Sequence, residues 1–126
     1  MEENMPSVIL GMLVDEHERL KEVLPLYQKN YEELPKGSLV VKKKGNDEYA
    51  YRKYKEGSRQ KSQYLGLKWS PAYIDMDKKL ARSHYLMREI RDMKHQVEDL
   101  EMAIRIIKGR EERRWRRKES SMNSVN

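Results

Sequence analysis

Residues 34–66 read LPKGSLVVKKKGNDEYAYRKYKEGSRQKSQYLG, and the punctuation of this stretch decides the fold. Leu39 to Lys44, Asp47 to Lys55 and Arg59 to Leu65 are short runs rich in Val, Tyr and Lys. Gly45-Asn46 separates the first two, and the segment around Glu56-Gly57-Ser58 separates the second pair. Glycine and asparagine tolerate the positive φ that tight hairpins demand, so the runs predict three antiparallel strands in a meander. With two central residues in each turn, Lys42 faces Tyr49, Tyr51 faces Tyr64 and Lys53 faces Ser62. Side chains alternate along a strand. Val40, Lys42, Lys44, Tyr49, Tyr51, Lys53, Lys55, Ser62 and Tyr64 therefore share one face. Leu39, Val41, Ala50, Arg52, Tyr54, Lys61 and Leu65 share the other. A one-residue change in either turn would invert the assignment.

On either side of the meander the apolar period changes from two to that of a helix. Leu10, Leu13, Leu20, Leu24, Tyr27, Tyr31 and Leu34 are spaced as one seam from Ser7 to Leu34, with His17 on the same stripe. Ser7 is the expected N-cap, and Pro25 predicts a kink or break just before it. Ser70-Pro71 predicts the start of a second helix. That helix is expected to run through Leu86, Ile90, Met93, Val97, Leu100, Ile104 and Ile107 to Lys108, with Gly109 as its stop. Met102, Ala103 and Ile106 widen the apolar arc, predicting a further neighbour such as a second copy of the chain. The fold class is α+β: two long helices, arranged as a hairpin or coiled coil, flank the meander. One domain over residues 1–118 is expected, comprising helix 7–34, meander 38–66, helix 71–108 and a basic extension 109–118. A disordered tail is expected over 119–126.

Composition narrows the function classes. The chain has 126 residues, 37% hydrophobic and 38% charged, so its core is thin. It has no Cys, which excludes disulfides, thiol nucleophiles and cysteine-held zinc. No cationic start followed by an apolar stretch marks a secretory signal, and the run from Val8 to Val14 is too short to span a bilayer. A cytoplasmic protein without membrane contact is the expectation. The net charge of +6 is unevenly spread. Residues 1–34 hold 3 basic and 8 acidic side chains, and residues 35–68 hold 10 and 3. Residues 69–107 hold 7 of each, and residues 108–126 hold 7 basic and 3 acidic. A polyanion would be met by the middle and the end.

Two constellations fit that partner. Lys42, Lys44, Lys53, Lys55, Arg59 and Lys61 would neutralise phosphates, while Tyr49, Tyr51 and Tyr64 would stack on bases. Arg113, Arg114, Trp115, Arg116, Arg117 and Lys118 would extend the footprint. The structural alternative packs the tyrosines on the helix ends and leaves the lysines as edge-strand charges against aggregation. For the tail, the alternative is solvated cations favoured at a helix C-terminus. Two readings remain: a nucleic-acid-binding accessory protein, DNA or RNA, or a protein-interaction module working through its helices. The second uses Leu100, Ala103, Ile104 and Ile107 as oligomer or partner interface. Catalysis finds no support. His84 and His95 are eleven residues apart, about 16 Å along a helix, and cannot share a metal within one chain. Asp92, His95 and Asp99 lack facing carboxylates and read as an exposed ion-pairing network. There is no phosphate-binding glycine loop and no nucleophile elbow. The sequence predicts no enzyme, cofactor, metal or small-molecule substrate.

The run from Leu34 to Gly66 resembles an uncharacterised prokaryotic family in which a helix leads to LPKGS, a Tyr-rich strand, a Glu-Gly turn and a Lys-Ser-x-Tyr-Ile/Leu-Gly strand. A long second helix follows there. Leu34 to Ser38, Tyr49, Tyr51, Tyr54, Glu56, Gly57, Lys61, Ser62, Tyr64, Leu65 and Gly66 carry the likeness, over about a quarter of the chain. The resemblance implies a helical hairpin with a β-tip and no established activity. Ala50, where another Tyr is usual, and the Arg/Trp-rich tail depart from it. The meander also resembles the three-stranded arm-site DNA-binding domains of tyrosine integrases, which implies a sheet set against a major groove.

Overall fold

The computed structural model describes residues 7–123. Its elements are α1 (Val8–Glu32), β1 (Ser38–Lys44), β2 (Asp47–Glu56), β3 (Arg59–Leu67) and α2 (Pro71–Asn123). The chain is α+β, with two helices and one antiparallel sheet in the order β1-β2-β3.

Both helix starts follow from their caps. The Ser7 hydroxyl accepts the Leu10 N–H at 3.0 Å, and the Ser70 hydroxyl accepts the Tyr73 N–H at 3.3 Å. Each satisfies a donor that the first turn leaves without an intrahelical partner. α1 shows no break at Pro25, which lies inside the helix. Proline removes one N–H from the ladder, and helix on both sides retains the rest.

α2 also overruns its expected end. It passes Gly109 and continues to Asn123. Gly109 is absent from the glycines of positive φ, so it is not a left-handed cap. A mid-helix glycine costs about 1 kcal/mol relative to alanine. The Arg, Glu and Lys residues of positions 110–119 are strong helix formers and offset that cost. Residues 119–123, expected to be disordered, are helical, and residues 124–126 lie outside the described part.

The chain divides into two compact units. Residues 26–90 form one, with the end of α1, the sheet and the first five turns of α2. Its buried side chains include Ala50, Leu80, Ser83, Leu86 and Ile90. The last four recur at intervals of three and four, a single stripe on α2. Residues 7–25 and 91–123 form the other unit, where Leu10, Leu20 and Met93 are buried. There the Ser7 N–H donates to Glu111 Oε1 at 3.1 Å, and His17 Nε2 meets Glu101 Oε1 at 3.1 Å. As numbering rises along α1 it falls along α2, so these stretches run antiparallel. Glu16, Gln96, Asp99, Leu100 and Ala103 line a shallow groove in this unit. A hydrogen bond from Arg19 holds the Glu16 carboxyl below the usual carboxylate range.

α1 hands over to the sheet through Lys36. Its Nζ donates to the carbonyls of Tyr31 and Leu34 and lies 3.9 Å from the Tyr31 ring centroid. The ammonium thus gathers carbonyls at and just beyond the end of α1, where the helix dipole favours a cation. Burial holds this ammonium below the ordinary lysine range. Replacing it as Lys36→Ala is expected to lower stability by about 1–2 kcal/mol. Urea unfolding reads the change as a shifted midpoint with an unchanged slope.

Candidate nucleic-acid interface

The meander has the register that its turns predicted. Lys42 pairs with Tyr49, Tyr51 with Tyr64 and Lys53 with Ser62. Gly45 and Gly57, at φ 67° and 65°, supply the left-handed residue of each two-residue turn. The two faces are therefore those expected up to the Tyr51–Tyr64 pair, and they differ in burial.

Ala50 marks the covered face, with no solvent-accessible surface. On the same side Arg52 lies 3.8 Å from the Tyr54 ring centroid. Its guanidinium donates to the Lys36 carbonyl at 2.7 Å and to Gln63 Oε1 at 2.9 Å. Arg52 is thereby committed to holding the LPKGS turn against β2.

The opposite face gathers the tyrosines. The Tyr51 and Tyr64 centroids are 5.3 Å apart with planes tilted by 54°, and Tyr49 lies 6.3 Å from Tyr64 at 38°. Such tilted pairs are favourable and leave part of each ring face open. Tyr64 is 57% exposed, while Tyr49 and Tyr51 are half-buried. Lys42 Nζ stands 5.1 Å from the Tyr51 centroid, a weak cation–π contact. Lys44, Tyr49, Tyr51 and Tyr64 line an open recess of about 550 Å³. By the alternation of β2, Lys53 and Lys55 continue this face beyond Tyr51. Among the described residues no ion pair engages Lys42, Lys44, Lys53 or Lys55. Asp47, paired with Lys44, is the one acid there among the described residues.

The remaining expected residues are distributed differently. Arg59 pairs with Glu56 and Lys61 with Tyr54, which places both cations on the Arg52 side. Lys61 Nζ is also bound to Glu56 at 2.7 Å. Neither joins the tyrosine face. Arg113, Arg114, Trp115, Arg116, Arg117 and Lys118 lie on α2 and are exposed. At about 100° per residue, Arg110, Arg113, Arg114 and Arg117 fall within one arc, while Trp115 projects well away from it. The indole does not stand beside the main arginine strip. Leu100, Ala103, Ile104 and Ile107 are half-buried in their unit, whereas Met102 and Ile106 are exposed.

Residues 13–72 match the model of a family described as a domain of unknown function, DUF6788. The match includes the LPKGS turn and the whole meander. It agrees with the resemblance seen in that stretch and brings no activity with it. No curated protein and no solved structure matches the chain significantly. Among the described residues no group of three or more His, Asp or Glu is arranged to hold a metal, and no helix is long and apolar enough to cross a membrane.

Strand alternation did not predict Leu67 and Trp69. A bulge at Ala50/Tyr51 shifts the β2–β3 register, so Leu67 faces Tyr49. Trp69 follows at φ 70° and is 68% exposed. Its ring touches Tyr73 edge-on at 5.4 Å, and Lys68 Nζ is 5.4 Å from its centroid. The available signal was position: Trp69 lies between the last strand and the Ser70 cap, outside either buried pattern.

Proposed function

We propose that the protein is a nucleic-acid-binding accessory protein, with the tyrosine face of the meander as its contact surface. One observation carries the reading. Lys42, Lys44, Lys53 and Lys55 surround three partly open rings, and among the described residues no salt bridge occupies them. Ammonium groups neutralise phosphates and release counterions, while phenol rings offer stacking surfaces to bases. The arginines at the end of α2 add cations of the same sign. Residues 7–25 and 91–123 form a helical hairpin in this proposal, supported by the antiparallel order of the Ser7–Glu111 and His17–Glu101 contacts. The hairpin is scaffold, and chemistry is not its task.

The test is a titration of the full chain with single-stranded and duplex DNA and RNA across a range of salt. Affinity should fall steeply, with a slope of log K against log salt near −3 for four phosphate contacts. Binding no tighter than about 10⁻⁴ M at low salt, weaker than ordinary non-specific association, rejects the proposal.

A further inference from the structure

Resting on that nucleic-acid reading, we infer that the meander takes an unpaired strand, with one base in the recess of Tyr49, Tyr51 and Tyr64 and a neighbouring base on Trp69. The recess is open, and its rings tilt against one another rather than closing face to face. Lys44 lies in its lining, and Lys42 stands over Tyr51. A base entering there meets aromatic surface while its flanking phosphates meet ammonium groups. Such a surface is tolerant of sequence because every base has a π-face.

Trp69 strengthens the inference independently. A bulky residue at positive φ is strained. Burial does not offset that strain, because the indole is mostly in solvent. The turn that imposes it is tied by Lys68 N–H to Glu48 O at 2.9 Å and Ser70 N–H to Leu67 O at 3.0 Å. The result is an exposed ring two residues beyond Leu67, which itself pairs with Tyr49. Leu67 and Trp69 line a second shallow recess together with Asn46, Asp47, Glu48 and Lys68.

Duplex fits this face less well. In a duplex the faces of the bases are closed against their neighbours, and a protein reads base edges with Arg, Asn or Gln held in bidentate geometry. The centre of this face offers phenols and lysines instead. Exposed ring faces have nothing to stack on in a closed helix.

The deciding experiment compares three probes on the full chain at about 50 mM salt, where phosphate contacts are strong. They are a mixed-sequence single strand, its duplex, and a strand of equal length made of abasic sites, each as DNA and the first two also as RNA. The single strand should bind roughly a hundredfold tighter than the abasic strand, the effect of stacking two bases at about tenfold each. It should also bind tighter than the duplex. Tyr64→Leu removes an exposed ring without opening the core, and should cut that advantage roughly tenfold, the share of the base in the recess. In Trp115→Tyr, Trp69 is the remaining indole, and its emission should change on saturation with the single strand. Equal affinity for single and abasic strands, or tighter binding of duplex, overturns the inference but leaves polyanion binding standing. A silent Trp69 overturns the role given to that ring. No binding to any probe rejects both proposals.

Discussion

Gly37→Ala should unfold the protein more readily than any other single methyl addition considered, with a loss of about 3–5 kcal/mol. Gly37 sits at φ 114°, a conformation that residues with a Cβ rarely adopt. A Cβ built there meets the Lys53 carbonyl oxygen at 2.1 Å and the Tyr54 Cβ at 2.9 Å. The first obstacle is backbone of the central strand, so it cannot swing aside as a side-chain tip would. The surrounding contacts are also fixed. The Gly37 carbonyl meets His84 Nε2 at 3.1 Å, and the adjacent Lys36 carbonyl accepts from Arg52. Moving the turn outward would disturb both. In thermal unfolding the midpoint should fall by about 15 °C or more. Gly45→Ala is the control. It also sits at positive φ, but nothing lies within 4 Å of its added Cβ, so its loss should be near 1 kcal/mol. Equal losses at the two glycines would mean that φ alone matters and that the close approach at Gly37 does not.

Replacing Lys42, Lys44, Lys53 and Lys55 together by Gln should weaken nucleic-acid binding on the order of a thousandfold at about 50 mM salt. Four neutralised phosphates account for a salt slope near −3, and most of that slope should disappear with them. The same measurement separates the two faces of the sheet. Arg59 and Lys61 lie on the Arg52 side, and Lys61 is held by Glu56. Their replacement by Gln should leave both affinity and slope nearly unchanged. If the Arg59 and Lys61 variant loses as much as the quadruple variant, the contact follows net charge rather than one surface. Circular dichroism checks the sheet in each case. The lysines replaced are exposed or half-buried and form no ion pairs among the described residues, so their loss should cost little stability.

Much of the proposed contact face was legible in the sequence, for two local reasons. Gly45-Asn46 and Gly57-Ser58 are turns of two residues, and a turn of known length sets the register of the strands it joins. Register and alternation together put Lys42, Tyr49, Tyr51 and Tyr64 on one side without reference to any distant residue. The caps at Ser7 and Ser70 were equally local, since a hydroxyl reaches only the N–H groups of the next turn.

Tertiary structure decided the rest, because those features balance small terms from remote parts of the chain. The bulge that turns Leu67 toward Tyr49 and the left-handed backbone of Trp69 reflect how the sheet meets the start of α2. Neither residue type announces them. The same holds for α2, whose helical run through Gly109 depends on a glycine penalty of about 1 kcal/mol set against the helix formers after it. The apolar arc near Ile104 was visible as a pattern. Burial alone distinguishes Leu100, Ala103, Ile104 and Ile107, partly covered, from Met102 and Ile106, left in solvent. Periodicity states which side chains share a side of a helix, whereas coverage depends on what the rest of the fold brings against it.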